Sequence, residues 1–255
     1  MGAVAAQSLM TRRSGRTAIL HVADDARTRL HALPMRRLLV PLDGELEILT
    51  PRGSTRHRGP TWTSPGLECA IHNRGRMLSL FVDPDGPSLD ASAERISGAA
   101  RELVSLERDG AGLLDELSRS EAPRRLDPRL ERALERLRED PTAPWSMATL
   151  STELGLSRTR LAYLFKTELG VSARSFALLG RCIWALAAHA SGQPGTAAAH
   201  AAGFSDQAHF SRSCARLFGQ TPSTIRDGKV AVSEAGWKAR AAGERPMGAR
   251  ETLRI

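Results

Sequence analysis

The apolar positions of this chain fall into two rhythms. Through residues 16–83 they come in short runs of period two, the spacing that sends alternate side chains to opposite faces of a strand. RRLLVPLDGELEIL (36–49) is a β-rich run, then a turn at Asp43-Gly44, then alternation through Glu45, Leu46, Glu47 and Ile48. PRGSTRHRGP (51–60) is turn-rich, and MLSLFVDPDGP (77–87) reads as a buried strand stopped at Asp83-Pro84. Short strands with turns between them predict a small antiparallel sandwich or barrel.

From Ala91 the rhythm becomes helical. Ile96, Leu103 and Leu106, then Leu113, Leu114 and Leu117, fall on helical spacing and are split at Asp109-Gly110. These two amphipathic helices could cap the β core or form a dimer seam. Pro123 to Leu126 reads as a linker. Asp127-Pro128 is a helix start, with Asp as N-cap and Pro in the first turn, followed by Leu130, Leu134 and Leu137 on one face and a stop at Asp140-Pro141. The predicted organisation is α+β: a flexible N-terminus (1–15), a β domain (16–90), a helical dimerisation or linker region (91–126), an all-α domain (127–226) and a tail (227–255). The tail has no period and is expected to be disordered, with a short helix over Val230–Arg240 as the alternative.

The all-α domain carries the chemistry. Thr196–Ala202 is a short Ala-rich helix, Gly203 a turn, Phe204 a core plug, and Ser205 or Asp206 an N-cap for the next helix. On that helix Phe210, Cys214, Leu217 and Phe218 form one apolar stripe. Ala208, Arg212 and Arg216 step by four on another face, flanked by Gln207, His209 and Ser211. This is the plan of a helix-turn-helix, in which the second helix enters the major groove and Arg or Gln can make bidentate contacts to base edges. The plan appears earlier as well. Ser146 caps a helix with Met147, Leu150 and Leu154; Gly155-Leu156 turns; Ser157 caps a second helix with Leu161, Leu164, Phe165 and Leu169 inside. Thr159, Ala162, Tyr163 and Lys166 lie on its other face, beside Arg158 and Arg160. A long helix, about Ala173–Ala190, separates the units, and Ser157 and Ser205 are 48 residues apart.

Charge follows the same division. The net charge is +8, but residues 1–126 hold 18 Arg against 16 acids, whereas 157–226 holds 8 basic residues and 2 acidic ones. An anionic partner for the helical domain is the natural reading. Cys69, Cys182 and Cys214 are widely spaced and predict neither a disulfide framework nor a zinc site. No run of 18 apolar residues suggests a membrane span, and MGAVAAQSLMTRRSGR lacks the apolar core of a secretory leader, so a cytoplasmic protein is expected.

Residues 145–226 resemble the AraC/XylS family of bacterial transcription regulators. The resemblance rests on Trp145, the run LSRTRLAYLFKTELGVSA, Arg181, and GFSDQAHFSRSCARLFGQTPSTIR, which follows the family's Gly-Phe, Phe-Ser-Arg, Phe-Gly and Thr-Pro-Ser signature. Departures are Ala198-Ala199, Ala202 and Cys214 where larger side chains are usual, which predicts a loosely packed second unit, and Tyr163 in place of a frequent Arg. HALPMRRLLVPLDGELEIL and SPGLECAIHNRG are similar to the family's cupin-like sensor domain.

The resemblance implies double-stranded DNA as partner, a small-molecule effector, homodimerisation, RNA polymerase if the protein activates, and neither catalysis nor a cofactor. Candidate DNA contacts are Arg158, Thr159, Arg160, Tyr163, Lys166, Gln207, Ala208, His209, Ser211, Arg212 and Arg216. Trp62 and Cys69 are candidate effector contacts. Two other readings stand beside this one. A cupin metalloenzyme would need clustered ligands, where the sequence has only isolated His21, His31, His57 and His72. The other is a DNA-binding protein whose N-terminal domain only dimerises.

Overall fold

The period-two segments form two packed sheets. The computed structural model describes residues 7–13, 16–86, 125–227 and 230–233. The strands are β1 (Gln7–Arg13), β2 (Arg16–Asp24), β3 (His31–Ala32), β4 (Arg36–Pro41), β5 (Glu45–Thr50), β6 (Gly53–His57), β7 (Thr61–Thr63), β8 (Glu68–Arg74), β9 (Arg76–Val82) and β10 (Val230–Ser233). One sheet runs β10-β1-β2-β9-β4-β7 and the other β3-β8-β5-β6. Neighbours are antiparallel, except that β10 lies parallel to β1. The alternation read in 45–48 is real: Leu46 and Ile48 point inward, where they meet Leu39, Cys69, Ile71 and Met77. Glu45 and Glu47 point outward to Arg56 and Arg58, exposed pairs that add little stability. Asp43-Gly44 turns the chain without closing a hairpin. It carries the backbone from one sheet to the other, since β4 pairs with β7 and β9 and β5 with β6 and β8.

Two segments differ from the sequence reading. Residues 7–13, expected to be flexible, pair with β2 along its length. Val230–Ser233, expected as tail or helix, forms an edge strand against Ser8–Thr11. Alternating Val in VAVS has strand propensity, and the free edge of β1 supplies the hydrogen-bond partners a lone segment lacks. The two helices expected from Ala91 to Arg119 lie outside the described residues.

The helices are α1 (Pro128–Glu139), α2 (Met147–Glu153), α3 (Arg158–Leu169), α4 (Ala173–Ala190), α5 (Gly195–Ala201), α6 (Gln207–Phe218) and α7 (Pro222–Asp227). Asp127 caps α1, accepting from the Arg129 N–H at 2.9 Å, with Pro128 in the first turn. Its own N–H donates to Glu168 Oε2 at 3.0 Å, which ties the start of α1 to α3. Leu130, Leu134, Leu150, Leu161, Leu164, Phe165 and Phe176 close a first helical core. Cys182, Leu186, Phe204, Phe210, Cys214 and Leu217 close a second. Pro222 opens the short α7, a position where a residue without an N–H costs nothing.

The β domain is fastened to the helices by an apolar contact and by an ion-pair cluster, among others. Leu33 and Met35 pack on Leu179 and Ile183 of α4, joined by Ile19, Phe81 and Phe218. On the other side the Arg138 guanidinium, from α1, donates to Asp83 at 3.0 Å and to both carboxylate oxygens of Asp85, and lies over the Phe176 ring. Burial alone would lower the Arg138 pKa; the two carboxylates raise it above its ordinary value. Removing one member of a buried pair leaves an uncompensated charge. Arg138→Ala should therefore destabilise the folded chain by about 3–5 kcal/mol, read as a lowered denaturation midpoint, far more than any exposed pair on β5–β6. An Arg138→Ala loss below about 1 kcal/mol, typical of surface pairs, would sink this reading of the latch.

Candidate nucleic-acid interface and interdomain cavity

Each helix-turn-helix unit is built from local signals. Ser146 accepts from Thr149 N to cap α2, Ser157 from Arg160 N to cap α3, and Asp206, rather than Ser205, from His209 N to cap α6. Gly203 sits at φ +74°, a left-handed conformation that residues with a Cβ rarely adopt. A Cβ there would also stand 3.3 Å from an Arg181 nitrogen. Arg181 explains why. Its Nε donates to Ala202 O at 2.9 Å, its Nη2 donates to Gly203 O, and its guanidinium lies 4.5 Å from the Phe204 ring centre. Arg181, on the spacer helix, thus satisfies the open carbonyls of the second turn.

The stripes sort as the spacing predicted. Leu161, Leu164, Phe165 and Leu169 are buried on α3, as are Phe210, Cys214 and Leu217 on α6. The small residues Ala198, Ala199, Ala202 and Cys214 are fully buried, and Phe204 and Phe210 fill the space beside them with ring centres 5.3 Å apart. On α3 the outward face is Arg158, Thr159, Arg160, Ala162, Tyr163 and Lys166, all exposed. Tyr163 is 56% exposed, and Arg160 lies 5.3 Å from its ring centre. Lys166 reaches the Gly170 carbonyl at 3.2 Å, a C-terminal cap.

On α6, Gln207, Ala208, Arg212 and Arg216 are exposed, and Ser211 is half-buried. Gln207 is braced, its Oε1 accepting from Thr196 Oγ1 at 3.0 Å. His209 is turned back onto the turn, its ring edge-on to Phe204 and its Nδ1 3.2 Å from Ser205 Oγ. An open groove of about 540 Å³ runs beside this helix, lined by His189, Gln193, Gly195, Gln207, Ser211 and Ser223. Arg212 and Arg216 make no ion pair among the described residues, so both guanidinium groups face solvent beside Ala208.

A second cavity, of about 340 Å³, lies between the β domain and the second unit. Ile19, Leu39 and Phe81 line it from the sheets, and Leu186, Phe218 and Ile225 from the helices. Its polar walls are His21, His31 and Arg37. Neither predicted effector contact lines it. Trp62 sits on β7 under the Arg36 guanidinium, 5.4 Å away, its Nε1 buried without a partner among the described residues. Cys69 is fully buried behind Arg37, whose Nη2 donates to its sulfur at 3.0 Å. Sequence reading missed Arg37 because Arg36 and Arg37 are adjacent and only the register decides which points inward. Burial lowers the pKa of both His21 and His31 to about 4, and both rings are neutral near pH 7. No group of three or more His, Cys, Asp or Glu side chains positioned to hold a metal occurs among the described residues.

Residues 150–228 match a family model described as a helix-turn-helix domain. The chain is 31% identical over 133 residues to the virulence regulon transcriptional activator VirF of Yersinia enterocolitica, which covers 51% of this chain and 47% of VirF. It is 32% identical over 114 residues to the thermoregulatory protein LcrF of Yersinia pestis, covering 44% and 42%. The chain thus spans somewhat less than half the length of these curated relatives. The structure of ToxT from Vibrio cholerae O395 superposes with a TM-score of 0.53 over 85% of this chain and 98% of ToxT, at 12% identity, a likeness of fold.

Two outcomes test the geometry. Gly203→Val should destabilise the second unit and lower the melting temperature, because it places a branched Cβ in a left-handed turn against Arg181; an unchanged melt would refute the turn assignment. Histidines whose folded pKa is depressed bind fewer protons folded than unfolded, so their contribution is complete above about pH 6.5 and is lost as pH falls toward 4. His31→Gln should therefore flatten the decline in melting temperature between pH 7 and pH 5. Residues 150–228 thus form a helix-turn-helix domain, with two units on one spacer helix, in a chain similar to the transcriptional activator VirF and the thermoregulatory protein LcrF.

Proposed function

We propose that this chain is a non-catalytic, sequence-specific DNA-binding transcription regulator of the cytoplasm. The single observation that carries the reading is the pair of recognition helices, α3 and α6, held on one spine with polar faces open to solvent. The spine α4 has 18 residues, about 27 Å at 1.5 Å per residue. Successive major-groove faces on one side of B-DNA are about 34 Å apart. A spacer of that order brings both helices to one face of the duplex.

The two units have different means of reading. On α3, Arg158, Thr159, Arg160 and Lys166 offer backbone and base contacts around the exposed Tyr163, whose ring suits a thymine methyl or a sugar. On α6, Gln207 is pre-oriented by Thr196, while Arg212 and Arg216 are free to reach a guanine edge or a phosphate. Ala208 lets the groove floor approach α6 closely, and Ser211 and His209 are secondary contacts. The β domain serves as the sensor for a small effector. The chain works as a homodimer and contacts RNA polymerase if it activates. VirF, by its name, is a transcriptional activator.

Full-length protein incubated with a random DNA library at moderate salt should enrich a defined site; uniform recovery of all sequences would remove the reading. Arg212→Ala should leave melting nearly unchanged. As a base reader it should cost about 1–3 kcal/mol on the selected site and relax one position. As a phosphate contact it should weaken all sequences alike and lower the salt slope by about one unit. Unchanged affinity on every sequence excludes Arg212 from the interface.

A further inference from the structure

We propose that Thr196 makes Gln207 a hydrogen-bond donor only, so that the second recognition helix selects a keto base, guanine or thymine, at the position Gln207 reaches. The proposal rests on the regulator reading above and adds a positioning residue to it. Thr196, on α5, donates its hydroxyl to Gln207 Oε1 at 3.0 Å. The Gln207 side chain lies across the start of that helix, where Gly195 leaves room for it. A Cβ on Gly195 would stand 2.9 Å from Gln207 Nε2 and 3.2 Å from its Cδ. Both ends of the amide are therefore placed by α5. The oxygen is engaged, while the nitrogen, with two N–H groups, makes no hydrogen bond among the described residues.

A free glutamine amide suits adenine. Its oxygen accepts from the N6 amino group while its nitrogen donates to N7, which requires both atoms to face one base edge. Here Oε1 faces the neighbouring helix, and turning it onto a base would break its bond to Thr196. What the braced side chain offers is its pair of N–H groups. In the major groove guanine O6 and thymine O4 accept hydrogen bonds, whereas adenine N6 and cytosine N4 donate them. Each base pair carries one keto and one amino group there, so a donor held toward one strand reads which strand carries the keto base. A donor set against an amino group leaves both without a partner, at the cost of an unmade bond.

The rest of the helix face agrees. The exposed positions of α6 are Gln207, Ala208, Arg212 and Arg216. The two guanidinium groups donate only, and Ala208 has no polar group. With Gln207 Oε1 taken up by Thr196, the exposed side chains of this helix present donors and no unengaged acceptor. Such a face matches the acceptor oxygens of keto bases.

Selection from a random DNA library with the full-length protein tests this. The position whose base preference relaxes in Gln207→Ala is the one Gln207 reads. At that pair, base analogues lacking either the keto oxygen or the amino group show which is contacted, when wild type and Gln207→Ala are compared on each. Removing the keto oxygen should weaken wild type about fivefold more than Gln207→Ala, the effect of one hydrogen bond, while removing the amino group should weaken both alike. Thr196→Val, which exchanges the hydroxyl for a methyl, should raise adenine about fivefold in the strand that carries the keto base. Thr196→Ser, which keeps the hydroxyl, should retain the wild-type preference. A coupling of Gln207 to the amino group, a Gln207→Ala that relaxes no position or weakens all sequences alike, or a folded Thr196→Val with an unchanged site each overturn the proposal. The analogue comparison decides even if Thr196→Val does not fold. Selective binding without coupling to the keto oxygen overturns this proposal alone. A wild type that enriches no site overturns the regulator reading and this proposal with it.

Discussion

Helix α4 supplies side chains to three packed cores. Ala173, Phe176 and Ala177 belong to the core of the first unit, Cys182, Ala185 and Leu186 to the core of the second, and Leu179 and Ile183 to the contact with the β domain. A helix that is apolar over most of its surface must be covered over most of it, and on α4 Arg174 is the exposed residue. Together with α3, at a bend of 67°, it even satisfies the length and hydropathy of a membrane span, although no single helix among the described residues does. Burial explains that composition. Three bodies are fixed in mutual orientation because they share the surface of one helix.

Sharing a helix links what happens at one core to the others. Side chains pack at near-crystalline density, so a shift at Leu179 or Ile183 is passed to neighbours one turn away in α4. The β domain also holds α1 through Arg138 and borders the end of α6 at Gly219, where Arg29 N meets Gly219 O at 3.5 Å. Helix α1 and the end of α6 therefore touch the β domain by routes that do not pass through α4. Phe218 and Ile225 of the second unit are part of the wall of the cavity that the β domain closes from the other side.

Much of the helical domain was legible in the sequence because its signals are local. Ser146, Ser157 and Asp127 as caps, the turn at Gly203 and the stripes of α3 and α6 each depend on neighbours within a few residues. Ser205 and Asp206 are adjacent candidates for one cap, and only the backbone shows that Asp206 takes it. The β domain was legible as strands but not as pairings. Asp43-Gly44 has the composition of a hairpin turn, yet its flanking strands enter different sheets, because pairing is decided by segments tens of residues away. The strand at Val230–Ser233 was hidden for the same reason: its partner, β1, lies more than 200 positions earlier. Trp62 attracted attention as a large aromatic, but it lies on β7 away from the cavity.

The buried arginines show most clearly what spacing cannot reveal. This sequence is so rich in arginine that none stands out, and Arg37 and Arg138 are each one of several nearby. Burial removes both from water at similar cost, and the structure answers that cost differently. Arg138 receives Asp83 and Asp85, two carboxylates from the opposite domain, and becomes a latch. Arg37 receives a hydroxyl, a neutral imidazole and a sulfur, and stands at the edge of an apolar space. Burial pushes its pKa down, with the Cys69 sulfur acting the other way, but an arginine remains a cation. One physical requirement, that a buried charge be answered, makes one residue a joint between domains and ties the other into a local network of polar side chains.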